Sequence, residues 1–234
     1  MELLVSAINT KEALDAIEGQ ADIIDVKNPK EGSLGANFPW IIKEISKYTE
    51  NKTLSATIGD APYKPGTMSL AALGCAISGA NYIKTGLYGT KNKTEAIDLM
   101  KNINRSVKDY NSDAIVVTCG YADAKRISAV KVEEIIDITL ESNSDIAMLD
   151  TAIKDGKTLF DHQTLDSLTQ FIEKAHDHSI KVALAGSVNL DQIKQLNMIN
   201  CDIVGVRTAV CDNGNRNTGS ISPELVKNIK QNII

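Results

Sequence analysis

The chain has 234 residues, 43% hydrophobic and 24% charged, an ordinary globular composition that fills one large core or two small ones. Its formal net charge of -5 speaks against a nucleic-acid binder but not against a small anionic substrate, because local lysines set the field at a site. No apolar stretch reaches the roughly 18 residues of a membrane span. Met1-Glu2-Leu3-Leu4-Val5 lacks the basic, apolar, small-residue order of a signal peptide. Cys75, Cys119, Cys201 and Cys211 form no Cys-x-x-Cys pair, so a reduced, cytoplasmic setting is expected.

Short β-branched runs begin at once. Residues 3–6 read as the first strand and lead into Ser6-Ala7-Ile8-Asn9-Thr10, with no Gly-x-Gly-x-x-Gly turn. Residues 22–27 read as the second. Alternation there puts Asp25 and Lys27 on one face and Ile24 and Val26 on the other, and the loop Asn28-Pro29-Lys30-Glu31-Gly32 follows. Apolar positions at helical spacing run from Trp40 through Ile41, Ile42 and Ile45 to Tyr48. Strands follow at 53–59 and 81–86, the latter carrying Lys84. A helix is read through Ala96, Ile97, Met100, Ile103 and Val107. Strands at 114–119 and 145–150 come next, the second ending on Asp150. Leu165, Leu168, Phe171, Ile172 and Ala175 mark another helix. The last strands are 181–186 and 202–207, and Ser222-Pro223-Glu224-Leu225 offers an N-cap with proline at the first helical position.

Eight strand–helix units in this length predict an α/β fold, a single-domain (β/α)8 TIM barrel over residues 1–234. An open doubly wound sheet shares the alternation, but neither a dinucleotide turn nor a Gly-x-x-x-x-Gly-Lys-Ser/Thr loop exists. The connections after strands are long and polar (28–37, 60–67, 151–162, 211–220), so the site is expected on that face. There Lys27 is the candidate nucleophile, since a Schiff base needs an amine that is neutral part of the time. Lys84 is either the cation that lowers its pKa, a general acid/base, or a structural partner of Asp25. Asp150 is a candidate for proton transfer or for capping the next turn. Lys154 either reaches a substrate phosphate or is solvated beside Asp155. Gly186, Ser187, Gly205 and Arg207 fit phosphate capture by the loops after strands seven and eight. His162, His176 and His178 are the chain's histidines, and the last two fall near the opposite face, so no metal and no cofactor are expected.

The segment Asp25-Val26-Lys27-Asn28-Pro29-Lys30-Glu31-Gly32-Ser33-Leu34-Gly35-Ala36 resembles the (5-formylfuran-3-yl)methyl phosphate synthases, also called 4-(hydroxymethyl)-2-furancarboxaldehyde-phosphate synthases, of methanofuran biosynthesis in methanogens and some methylotrophic bacteria. Tyr82-Ile83-Lys84-Thr85-Gly86-Leu87-Tyr88-Gly89, Met148-Leu149-Asp150-Thr151-Ala152-Ile153-Lys154-Asp155-Gly156 and Leu184-Ala185-Gly186-Ser187 extend the likeness over nearly the whole chain. The resemblance implies a barrel that condenses two molecules of glyceraldehyde 3-phosphate into a phosphorylated furan aldehyde, with loss of phosphate and water. It implies Lys27 as the Schiff-base lysine, Lys84 as general acid/base, and Asp25, Asp150 and Lys154 as supporting residues. The residues alone also admit a lysine aldolase or other triose-phosphate enzyme, or a phosphometabolite-binding barrel without catalysis. Exposed helices could build a homo-oligomer, but no spacing sets the subunit number.

Overall fold

The computed structural model describes residues 1–49, 52–60 and 62–233. Eight parallel strands close on themselves in sequential order: β1 (Glu2–Ala7), β2 (Ile23–Val26), β3 (Thr53–Thr57), β4 (Tyr82–Gly86), β5 (Ile115–Tyr121), β6 (Ile146–Asp150), β7 (Lys181–Leu184) and β8 (Ile203–Val206), with β8 pairing back onto β1 through Leu4 and Gly205. Around them lie α1 (Thr10–Glu18), α2 (Pro39–Ser46), α3 (Pro65–Ile77), α4 (Lys93–Tyr110), the short α5 (Ala124–Ile127), α6 (Ile135–Glu141), α7 (Leu165–His176), α8 (Leu190–Met198) and α9 (Pro223–Gln231). The predicted TIM barrel is therefore the observed fold. The strand bounds shift where glycine turns the chain. Residues 58–59 leave β3 because Gly59 adopts φ 100°, and residues 185–186 leave β7 because Gly186 adopts φ 122°. β5 instead continues two residues past the expected end, to Tyr121.

The helix starts are written in side-chain oxygens. Asn9, Asn92, Thr164, Asn189 and Ser222 each accept from a backbone N–H in the first turn of α1, α4, α7, α8 and α9. Pro39, Pro65 and Pro223 stand in the first turns of α2, α3 and α9, where the missing N–H would have had no partner. Two cores result. One lies between sheet and helices and holds residues such as Val5, Ile24, Val26, Leu54, Ile83, Ile103 and Ile172. The other fills the barrel with Leu4, Ile23, Val117, Cys119, Ile146, Met148, Ala183 and Ile203. All four cysteines are buried free thiols.

The period-2 alternation of a strand makes the inner column of each strand readable from bottom to top. β2 presents Ile23, then Asp25, and Lys27 follows the strand. β6 presents Ile146, Met148, Asp150. β4 presents Tyr82, Lys84, Gly86, and β8 presents Ile203 and Gly205 before Arg207. The barrel is thus apolar at its floor and charged at its mouth, on the side of the long loops. No helix among the described residues is long and apolar enough to cross a membrane.

Candidate active site

Asp25 is the deepest charge, fully buried in the barrel wall. Its register neighbours on both sides are serines: Ser6 pairs with it across β1–β2 and Ser55 across β2–β3. Each hydroxyl donates to one carboxylate oxygen, Ser6 at 3.1 Å and Ser55 at 2.9 Å. Lys84 Nζ lies 2.7 Å from Asp25 Oδ1, in ion-pair contact, yet meets no acceptor in hydrogen-bonding geometry among the described residues. Burial opposes the Asp25 anion, but the ammoniums of Lys84 and Lys27 prevail and hold its carboxyl below the usual range. The structural partnership of Lys84 with Asp25 is therefore real.

Lys27 stands one step above. Its Nζ is 4.0 Å from Asp25 Oδ2 and 3.9 Å from Asp150 Oδ2, too far for a hydrogen bond to either. The residue is 5% exposed and lines the cleft at the barrel mouth. Burial lowers its pKa to about 8, against the opposing pull of Asp150 and Asp25 and with help from the Lys84 and Lys154 charges. The consequence is large. At pH 7 about a tenth of such an amine is neutral, against roughly one part in three thousand at the ordinary lysine value.

Asp150 ends β6 and is held on every side. Lys154 Nζ donates to Oδ1 at 2.6 Å and to Thr151 Oγ1 at 2.9 Å, Thr151 N donates to Oδ1 at 2.7 Å, and Ser33 Oγ approaches Oδ2 at 3.5 Å. One oxygen ties the turn, as the capping reading expects, and the other lies 3.9 Å from Lys27 Nζ. Burial again opposes the anion, and Lys154 and Lys27 outweigh it, keeping the carboxyl far below the usual range. The loop after β6 is fixed from β5's side by Asp123, buried, which accepts from Ala152 N at 2.7 Å and Ile153 N at 3.0 Å.

The expected phosphate residues divide. Gly186 and Ser187 are consecutive residues with positive φ (122° and 54°) at the cleft rim, and neither amide has a protein acceptor among the described residues. Gly205 contributes space instead. It stands in the β1–β8 ladder opposite Leu4, and a Cβ there would lie 3.0 Å from Ala185 Cβ. Arg207 is committed elsewhere. It is buried and makes a forked ion pair with Glu12, Nη1 to Oε2 at 2.7 Å and Nη2 to Oε1 at 3.2 Å. Its remaining bonds go to Ser6 O at 3.0 Å and, from Nε, to Arg216 O at 3.1 Å. Arg216, on the loop after β8, also lines the cleft and makes no ion pair among the described residues.

Four groups were not visible in the sequence. Glu12 sits on α1 with only its position in the first turn to mark it. Arg216 lies among Asn213, Gly214, Asn215 and Asn217, a composition that reads as plain loop. Asp60 accepts a hydrogen bond from Tyr121 on β5, and burial raises the Asp60 carboxyl pKa despite that bond. This pair needs Gly86, because a Cβ there would collide with the Asp60 carboxylate and lie 2.6 Å from the Tyr121 hydroxyl. No signal in the sequence joins these three, since they come from three different strands or their loops. His176 stands at the opposite end of the barrel, 2.8 Å from Asp202, and takes no part in the cleft.

The cleft is lined by Ser6, Asp25, Lys27, Asp150, Lys154, Gly186, Ser187, Gly205, Arg207 and Arg216 among others. Taken with Lys84 below it and with the Arg207–Glu12 pair self-cancelling, the cations Lys27, Lys84, Lys154 and Arg216 face the carboxylates Asp25 and Asp150. The site is thus electropositive in a chain whose net charge is -5. A small anion is the ligand class such a mouth admits.

Comparison with known proteins agrees in extent and fold. Residues 3–230 match the family model described as 4-HFC-P synthase. The chain is 58% identical over 232 residues to a (5-formylfuran-3-yl)methyl phosphate synthase of Methanothermobacter thermautotrophicus, covering 99% of this chain and 98% of that protein. It is also 58% identical over 232 residues to a protein of the same name from Methanocaldococcus jannaschii, with 99% of each covered. A solved structure of KGPDC from Streptococcus mutans superposes with a TM-score of 0.69 at 16% identity, covering 99% of this chain and 96% of that one. At that identity the likeness speaks to the barrel alone.

Proposed function

The chain belongs to the 4-HFC-P synthase family and is a synthase, and from that premise we propose that it condenses two molecules of glyceraldehyde 3-phosphate into (5-formylfuran-3-yl)methyl phosphate through a Schiff base on Lys27, serving methanofuran biosynthesis. The observation that carries this reading is the Lys27 amine itself: buried at the cleft, free of hydrogen bonds among the described residues, with a pKa lowered to about 8. Lys84, the amine below the cleft, is already in contact with Asp25.

The chemistry follows from that placement. Neutral Lys27 adds to the carbonyl carbon of one triose phosphate, and loss of water gives an iminium. The iminium makes the adjacent C–H acidic, and its proton leaves to give an enamine. An enamine carbon then attacks a carbonyl carbon of the second triose, whose oxygen takes up a proton, forming the new C–C bond. Elimination of one phosphate, closure of the ring oxygen and loss of further water yield the aromatic furan, and hydrolysis frees Lys27. No electrons are gained or lost overall. Lys84 is the proton carrier we assign, because its buried amine is in ion-pair contact with Asp25, the carboxylate that also lies 4.0 Å from Lys27. Asp25, pinned by Ser6, Ser55 and Lys84, supplies a fixed countercharge for the iminium. Asp150 Oδ2 faces the same nitrogen, while Lys154 fixes the other oxygen.

The test is reduction by borohydride in the presence of glyceraldehyde 3-phosphate, followed by peptide mass mapping and product analysis. Wild-type protein should carry the reduced adduct on Lys27 and form a furan chromophore. Lys27→Arg should keep the fold and lose both, since a guanidinium forms no imine. Turnover retained in that variant overturns the mechanism. A reversible sugar phosphate in place of a furan product would leave a lysine aldolase as the activity.

A further inference from the structure

Among the cations of the cleft, Arg216 alone has no carboxylate within ion-pair distance among the described residues. Lys84 contacts Asp25 at 2.7 Å, Lys154 contacts Asp150 at 2.6 Å, and Lys27 lies between both carboxylates. Arg207 is neutralised by Glu12. Arg216 makes no such ion pair, although it is partly buried and shares the cleft with Lys154, Gly186, Ser187 and Thr208. A guanidinium partly withdrawn from water with no carboxylate in ion-pair contact is an unfavourable arrangement, and burial, helped by the nearby Arg207 charge, lowers its pKa despite the longer-range attraction of Asp150. An anion would offset that arrangement directly.

The neighbours specify the kind of anion. The guanidinium is a planar fork suited to two oxygens of one group. Arg216 lines the cleft together with the Gly186–Ser187 turn, whose successive amides show no protein acceptor among the described residues. The backbone beneath is braced. Arg207 Nε donates to Arg216 O at 3.1 Å, while the same guanidinium is forked onto Glu12 of α1. The loop is closed on itself as well, through the bridge between Cys211 and Ile221 and the bond from Asp212 N to Ser220 O at 3.0 Å. The cleft and a neighbouring pocket meet at Arg216, which lines both together with Lys154, Ser187 and Thr208.

We propose that Arg216 is the phosphate-gripping residue of the site, binding a phosphomonoester together with the Gly186 and Ser187 amides, while the buried Glu12–Arg207 pair serves as the brace that holds it there. This deepens the function proposed above and rests on it for the identity of the phosphate's owner, though not for the anion site itself. Arg207, which the sequence marks for the role, acts on phosphate through Arg216 alone.

Equilibrium binding of inorganic phosphate to the full chain tests it without turnover, by titration calorimetry at low ionic strength. Arg216→Met should retain the folded circular-dichroism spectrum and raise the phosphate Kd by about tenfold or more, the usual scale for a charge-assisted pair. Arg216→Lys should recover part of the loss, and added guanidinium should partly rescue an Arg216→Ala protein. With glyceraldehyde 3-phosphate, KM should rise more than kcat falls. A phosphate Kd that changes by less than threefold in folded Arg216→Met overturns the assignment. Weakened phosphate binding in the variant, together with a wild-type protein that makes no furan, would sink the reaction while leaving the anion site standing.

Discussion

At the scale of single residues, the site separates two lysines of identical chemistry by a few ångströms of placement. Lys84 is bound to a carboxylate, and Lys27 is suspended between two without touching either. Desolvation then dominates for Lys27, and its pKa falls from 10.5 to about 8. The reactive form is the deprotonated amine. The rate of borohydride-trappable imine formation should therefore rise with pH through about 8 and level off, rather than climb past 10. The same shift has a thermodynamic face. Between about 8 and 10.5 the unfolded chain holds a proton that folded Lys27 has released, so folding stability gains with rising pH across that window, by roughly 3 kcal/mol in total. Urea unfolding of wild type against Lys27→Met over that range checks the sign. A difference that stays flat from pH 8 to 10.5 contradicts the lowered value.

At the scale of elements, the buried Glu12–Arg207 pair joins α1 to the end of β8, residues nearly two hundred positions apart. Glu12 also accepts from Ile8 N at 3.0 Å, and so secures the turn after β1. Breaking such a pair from one side leaves the other charge buried and alone, which costs about 3–5 kcal/mol. Arg207→Met should therefore lower the urea midpoint markedly, whereas Glu12→Gln with Arg207→Met should recover much of the loss. Equal stability of Arg207→Met and wild type in urea would show that the pair has no structural weight. The elements themselves were legible. Strand runs, Asn and Ser caps and first-turn prolines are local signals, and local physics carries them. Glu12 was not, because an acid in a first turn is ordinary until its partner arrives from the far end of the chain.

At the scale of the whole molecule, a chain of net charge -5 presents a mouth where four cations outnumber two carboxylates. Attraction of an anionic substrate is a matter of that local field, and the Debye length of about 8 Å at physiological salt limits its reach. kcat/KM for a triose phosphate should accordingly fall as sodium chloride rises from 0.05 to about 0.5 M, more steeply than kcat. A kcat/KM that is constant over that range, or that rises, would mean that the global charge governs capture.

The sequence by itself determined the eight-fold alternation, the face on which the site lies, and the inward column on each strand. These depend on periods of 2 and 3.6 residues and on turn chemistry, which neighbours in the chain establish among themselves. It also singled out Asp25, Lys27, Lys84 and Asp150 as candidates, because charges at strand ends have few other places to point, and Lys154 four residues past Asp150. Closure of the barrel decided the rest. Only when β8 meets β1 does Arg207 find Glu12, and only then is Arg216 left facing the cleft. Only when β4 and β5 stand side by side does Gly86 make room for Asp60 against Tyr121. Which of two like charges is neutralised and which remains available depends on distances between segments remote in sequence, and no local pattern encodes a distance.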